Sequence, residues 1–236
     1  MKQFDVVVIG SGTGGQTAAY ELQRAGLKVA VVERSPQAGG TCALHGCQPK
    51  KWFYEVTEAI ARSRHLEGRG ISVSSQAAWP QILKEKNAFT SGVPGRTLQG
   101  FQDAGIAFLE GQGRFVSPDT LDVDGQSIGA KFFIVATGSR PMPLPMIGSE
   151  HLSTSNDFLD LERLPRRIAF VGGGFISFEF AHFAARLGEG GQELTILEVS
   201  ERPLGPFDAE MVSLLMDASR DEGIQVRTGI QLTAIE

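Results

Sequence analysis

Cysteine is used twice in this chain, at Cys42 and Cys47, and both copies fall in the stretch GGTCALHGCQPKK at 39–51. Two thiols placed so close suit three kinds of chemistry: a reversible disulfide, part of a metal site, or no shared chemistry, as unrelated buried groups. A zinc site wants about four ligands. Beyond the cysteines only His45 lies nearby, with His65, His151 and His182 scattered, so no metal is expected. A redox disulfide places a geometric demand on the turn. In a regular helix, residues five apart rise about 7.5 Å, beyond the Cα separation of about 7 Å that a disulfide tolerates. The segment must be distorted, Gly46 is placed to permit that, and a strained bridge is the more readily reduced. Lys50 and Lys51 follow Cys47 closely. On a helix starting there they return to its face and favour thiolate; their plainer role is a solvated helix face.

Two glycine-rich turns carry the second kind of chemistry. FDVVVIGSGTGG runs from a β-branched strand into Gly10, Gly12 and Gly15, a G-x-G-x-x-G spacing. The helical segment TAAYELQRAG follows, with Ala18, Leu22 and Ala25 on one face and Gly26 to end it. KVAVVE then closes on Glu33, at the distance past Gly10 of about 20 residues that a dinucleotide fingerprint requires. Such glycines allow a tight turn and close approach of backbone to a pyrophosphate, while the acid accepts a ribose hydroxyl. The later half repeats the order. RRIAFVGGG presents Gly172 and Gly174, FISFEFAHFAARLG places Ile176, Phe180, Phe183 and Leu187 at helical spacing, and ELTILE ends on Glu198. Ser177 stands where a third glycine or alanine is usual, and is small enough to keep helix and strand close.

These turns need two strand–helix–strand units to hold them. The predicted fold is α/β, with two tandem three-layer Rossmann-like dinucleotide-binding domains at 1–143 and 150–236. Between them, AFLEGQGRFVSPDTLDVDGQSIGAKFFIVATG alternates short apolar runs with turn signals at Ser117-Pro118 and Asp124-Gly125, which predicts a small antiparallel meander returning to a buried strand. RPMPLPMIG reads as a linker near 141–150, because its prolines continue neither helix nor sheet. Segments 49–65 and 79–91 read as helices. The 236 residues carry a net charge of −5, with 42% hydrophobic residues and no basic run, so neither nucleic acid nor membrane is an expected partner. The short apolar start MKQFDVVVIG reads as a buried strand rather than a leader, and a cytoplasmic protein is expected.

GGTCALHGCQPKK resembles the redox segment of the class I pyridine nucleotide-disulfide oxidoreductases, the flavoproteins that include glutathione reductase, dihydrolipoamide dehydrogenase and mercuric reductase. VATGSRP at 135–141 and VGGGFISFEFA at 171–181 are similar to further family signatures, in the expected order. The resemblance implies FAD held by Gly10, Gly12, Thr13, Gly14, Glu33, Thr41 and Cys42, with Gly113, Thr137 and Gly138 adding contacts. It implies Cys47 as the flavin-proximal thiol and Cys42 as the thiol that attacks substrate. Lys50 would approach the flavin and pair with Glu179, and Phe175 would gate the nicotinamide pocket. Without the resemblance, Glu179 reads as a first-turn acid favoured by the helix dipole and Phe175 as core. The implied reaction passes hydride from NAD(P)H through FAD to Cys42–Cys47 and on to a small-molecule or protein disulfide. Glu198 makes NADH the expected donor, since a carboxylate repels a 2′-phosphate, and Arg202 is the one nearby group that could neutralise it.

Family members run well beyond this length, through a dimerisation domain with a His-Glu acid/base pair that no histidine here matches. The chain therefore reads as an N-terminal portion, possessing no dimerisation domain, of a homodimeric enzyme. By itself it is expected to be a monomer without full turnover. A nucleotide-binding module without turnover and a small metal-binding protein are the competing readings. Where glutathione reductases carry arginines that contact glutathione, this chain has Tyr20 and Glu21, which argues against that substrate.

Overall fold

A computed structural model describes residues Lys2–Ile235. The chain forms two compact units, one from Met1–Pro49 and Lys86–Arg140, the other from Lys50–Glu85 and Pro141–Glu236. The later division, between Arg140 and Pro141, falls at the start of the proline-rich stretch. The segment Lys50–Glu85, assigned above to the first domain, packs instead with the second unit. The reason is apolar: Phe53 and Trp79 are buried in one core with Phe158, Phe180 and Phe183, and the Trp79 indole N–H donates to the Leu161 carbonyl at 2.7 Å.

The first unit is built on a six-stranded sheet in the order β3-β2-β1-β6-β5-β4. Its strands are β1 (Lys2–Ile9), β2 (Val29–Glu33), β3 (Ala107–Glu110), β4 (Gly113–Ser117), β5 (Thr120–Val123) and β6 (Gln126–Val135). β1, β2, β3 and β6 from Ile128 to Val135 run parallel, and β4, β5 and the start of β6 form the antiparallel meander. β3, read above with the meander, joins the parallel part instead. A residue alternation of two sorts β2 onto two faces. Ala30 and Val32 pack with Val7, Leu121 and Ile128; Val29 and Val31 pack with Val6, Val8, Ala19, Phe101 and Ile106. Asp124 and Gly125, with φ of 48° and 86°, make the tight hairpin into β6. Helices α1 (Thr13–Arg24), α2 (Gly40–Leu44) and α5 (Val93–Asp103) complete the unit. α1 ends at the predicted place, with Gly26 at φ 84°.

The second unit has a parallel sheet, β7-β8-β9, from Arg167–Val171, Glu193–Leu197 and Ile224–Arg227. Its helices are α6 (Ser155–Phe158), α7 (Phe175–Leu187) and α8 (Ala209–Asp221). Helices α3 (Cys47–His65) and α4 (Trp79–Ser91) contain the division points at 49/50 and 85/86. Among the described residues no helix is long and apolar enough to cross a membrane.

Candidate active site

The first glycine turn is shaped by close approach. Gly10 has φ 112°, and its N–H is bound to the Val32 carbonyl at 2.8 Å. A side chain there would run into the Ala136 carbonyl, and one at Gly15 into the Gly10 carbonyl, so both are required as glycine by packing. Gly14 has open space where a side chain would stand. Gly12 caps α1 without a side-chain hydrogen bond, which leaves first-turn N–H groups for an anion.

Glu33 ends β2 over this turn. Its Oε2 accepts from the Ser11 N–H at 2.9 Å and the Ser11 hydroxyl at 2.8 Å, and Oε1 accepts from the Ser35 N–H at 2.9 Å. Burial pushes the carboxyl up, but the hydrogen bonds from Ser35 and Ser11 outweigh it and hold Glu33 below the usual range. The carboxylate is thus kept ionised beside a cleft of about 910 Å³. Gly10, Gly12, Thr13 and Gly14 line that cleft, with Glu33, Thr41, Cys42, Gly113, Thr137 and Gly138. Of the first-unit residues singled out in the sequence, Gly15 and Cys47 are absent from the lining; Gly15 backs the turn. Arg140, within the VATGSRP stretch, lines it too, and so do Arg34, Ser35 and Gly111, which nothing in their spacing marked.

The cysteines occupy different helices. Cys42 is partly buried within α2, and Cys47 is exposed as the first residue of α3. His45 breaks the helix at φ −137°. Gly46 contributes space rather than an unusual backbone: a Cβ there would lie 3.0 Å from the Thr41 carbonyl oxygen and 3.4 Å from the Cys42 Cα. Cys47 itself opens α3. Gly39 and Gly40, at φ 131° and 71°, lead into α2, and Gly40 abuts the Gly12 backbone. A second cavity of about 500 Å³ is lined by Gln16, Tyr20, Gly39, Ala43, Phe89 and Arg96, among others. Ala43 faces it while Cys42 faces the larger cleft, so α2 is the wall between the two.

In the second unit, Lys50 Nζ meets Glu179 Oε2 at 2.6 Å and lies 5.7 Å from the centre of the Phe175 ring. Glu179 is on the second turn of α7, past the dipole-favoured first turn, and Phe175 is more than half exposed, so neither follows its plainer reading. The second glycine turn copies the first. Gly172, at φ 94°, is bound to the Leu197 carbonyl at 2.8 Å, and Gly174 caps α7 with no side-chain hydrogen bond. Glu198 accepts from the Gly173 N–H at 2.6 Å and the Ser200 N–H at 2.7 Å. The Ser200 N–H is the main cause holding its carboxyl below the usual range. Gly173, overlooked in the sequence, is the crowded glycine: a Cβ would come within 2.7 Å of Pro203 and 2.9 Å of Glu198 Oε2. The signal was present as the middle of GGG. Arg202 is turned to backbone, donating to the Phe207 and Gly205 carbonyls at 2.9 and 2.6 Å. Among the described residues no group of three or more His, Cys, Asp or Glu is placed to hold a metal.

Each unit carries a nucleotide-type glycine turn, and Cys42 stands at the wall of the first unit's cleft. The chain belongs to the pyridine nucleotide-disulphide oxidoreductase family, whose model matches residues 4–236. It is 32% identical to a glutathione reductase from Burkholderia cepacia over 234 residues, covering 99% of this chain and 51% of that protein. It is 34% identical to a dihydrolipoyl dehydrogenase from Thermus scotoductus, covering 100% of this chain and 51% of that one. The HOCl-induced flavoprotein disulfide reductase RclA from Escherichia coli superposes with a TM-score of 0.83 at 26% identity, covering 98% of this chain and 50% of that chain. The chain thus spans about half the length of the curated relatives it matches.

Proposed function

We propose that the protein is the nucleotide-binding and redox portion of an FAD-dependent enzyme that takes electrons from a nicotinamide and reduces a disulfide. The observation that carries this is a single cleft lined both by the first glycine turn with Glu33 and by Cys42. Its residues suit FAD. The close-packed glycines leave room for a pyrophosphate, the uncapped start of α1 suits its charge, and the ionised Glu33 suits a ribose hydroxyl. When bound, FAD supplies two-electron exchange between nicotinamide and thiols.

The chain's own groups do the rest. The oxidised Cys42–Cys47 pair accepts two electrons and its protons to become a dithiol. Cys42, as thiolate, attacks one sulfur of the acceptor disulfide and expels the other as a thiol. Cys47 then attacks the Cys42 sulfur of the mixed disulfide, releasing the second thiol and restoring the bridge. Lys50, held by Glu179, supplies positive charge on the helix that begins with Cys47. The acceptor enters by the second cavity, where the lining includes one charged side chain, Arg96. Tyr20 in that lining, and Glu21 paired with Arg24, favour a disulfide other than glutathione. At the second glycine turn, gated by Phe175, the donor is NADH: Glu198 presents a carboxylate, and Arg202 is spent on backbone carbonyls. The reaction suits a reducing intracellular compartment, and the whole protein, with the length its relatives have, acts as a homodimer.

Visible spectra test the reading. The purified protein, in the length at which it is expressed, binds FAD and is yellow. Two-electron reduction produces a long-wavelength band from thiolate against flavin, which Cys47→Ser abolishes and Cys42→Ser preserves. A colourless protein that gains no absorbance with added FAD rejects the function, and a band unchanged in Cys47→Ser rejects the assignment of the proximal thiol.

A further inference from the structure

Ser11 joins four segments of the first unit through one buried residue. It stands between the first two glycines of the turn. Its N–H and its hydroxyl both donate to Glu33 Oε2, at 2.9 and 2.8 Å, and the same hydroxyl oxygen accepts the Gly39 N–H at 3.1 Å. Its carbonyl accepts from Gln16 Nε2 at 2.8 Å. Glu33 lines the larger cleft, whereas Gly39 and Gln16 line the smaller. Gly39 and Gly40 sit at positive φ at the cap and first residue of the helix bearing Cys42. The start of that helix therefore depends on the most permissive kind of backbone, and the Ser11 hydroxyl is the side-chain hydrogen bond that restrains it. The second unit lacks this device. Gly173 occupies the matching position, so Glu198 receives an N–H there and no hydroxyl.

We propose that Ser11 is a positioning residue that couples nucleotide engagement at Glu33 to the setting of the redox turn. The proposal rests on the reading of Glu33 as the ribose acceptor. A hydroxyl whose single proton points at a carboxylate has its oxygen lone pairs directed elsewhere, here at the Gly39 N–H. A ribose that orders Glu33 thereby orders Ser11 and then Gly39, so the entropy lost in ordering the turn falls on nucleotide binding and not on the later chemistry. By linkage, the state of the turn changes nucleotide affinity in equal measure.

Amide exchange at Gly39 tests this with AMP alone, which carries the ribose but no flavin to cover the thiols. AMP is titrated into the wild-type chain and into Ser11→Gly, which copies the second unit and keeps the residue-11 N–H for Glu33. In the wild type, saturating AMP slows Gly39 exchange about tenfold, a mid-range coupling. In Ser11→Gly, AMP still binds and Gly39 exchange does not change. AMP binding to the wild type without slowing Gly39, or slowing that persists in Ser11→Gly, overturns the coupling and leaves the nucleotide reading of Glu33 standing. Failure of AMP to bind the wild type overturns both. Should Ser11→Gly fail to fold, the wild-type measurement still rejects or supports the coupling, and Ser11→Ala repeats the comparison.

Discussion

Lys50 and Glu179 are separated by 129 positions and meet at 2.6 Å with side chains 22% and 40% exposed. At that exposure the ion pair contributes at most about 1 kcal/mol to stability, so its removal is read in chemistry rather than in folding. Lys50→Ala is expected to shift the thermal midpoint little, yet to slow flavin-to-thiol electron transfer by about tenfold or more, the order seen when one preorganised charge is removed; stopped-flow reduction checks it. Glu33 gives a pH prediction with a definite sign. Its folded carboxyl lies below the ordinary range, so its contribution to stability is complete above the unfolded value and is lost as pH falls through the folded one. Thermal midpoints from about pH 6 to pH 3 should therefore fall more steeply in the wild type than in Glu33→Gln. Parallel slopes would show that Glu33 is not held as described. At this scale the sequence was informative where chemistry restricts residue type, as at Cys42, Cys47 and Glu33. It was silent on Arg34 and Ser35, which reach the cleft by chain path alone.

At the scale of elements, the redox turn is two helices rather than one bent helix, with the break at His45 and Gly46. The crowding at Gly46 makes a prediction that backbone strain would not. Gly46→Ala presses a Cβ onto the Thr41 carbonyl and the Cys42 backbone, at a cost of about 1–3 kcal/mol where they do not give way, and should slow closure of the Cys42–Cys47 bridge. A Gly46→Ala protein that closes its bridge at the wild-type rate would count against this account. Helices 49–65 and 79–91 were legible from periodicity. Helix α5 was not, because Pro94, Gly95 and Gly100 read as breakers. In the structure Pro94 falls in the first turn, where its missing N–H costs nothing, and Phe101 is buried deeply enough to offset the glycines.

Across the whole molecule, the two glycine turns share one design, with the acid at the end of the second strand tied to the N–H just after the first glycine. The proposed donor rests on the second copy, where Glu198 presents its carboxylate. NADH should exceed NADPH in kcat/KM in the full-length enzyme, and Glu198→Arg should narrow or reverse that ratio. A clear NADPH preference in the wild type would sink the assignment. The acceptor side carries a matching test: Arg96→Ala should raise KM for anionic disulfides and leave that for neutral ones unchanged, because the cavity's lining offers one charged side chain.

The order strand, glycine turn, helix, strand and acid is written locally, within about 25 residues in each half, so the α/β class and both nucleotide turns could be read before any contact was known. The meander was legible for the same reason, since its turns lie between adjacent strands. Tertiary structure alone decided what depends on contacts distant in sequence. It drew Lys50–Glu85 into the second unit through the Phe53 and Trp79 core, set Gly173 rather than Gly174 against Glu198, and turned Arg202 onto backbone carbonyls. It also made Ser11, a variable position in the fingerprint, the link between Glu33 and Gly39. A spacing rule records which residues the backbone must bend around, but a hydrogen bond across 28 positions exists only once the sheet has brought its ends together.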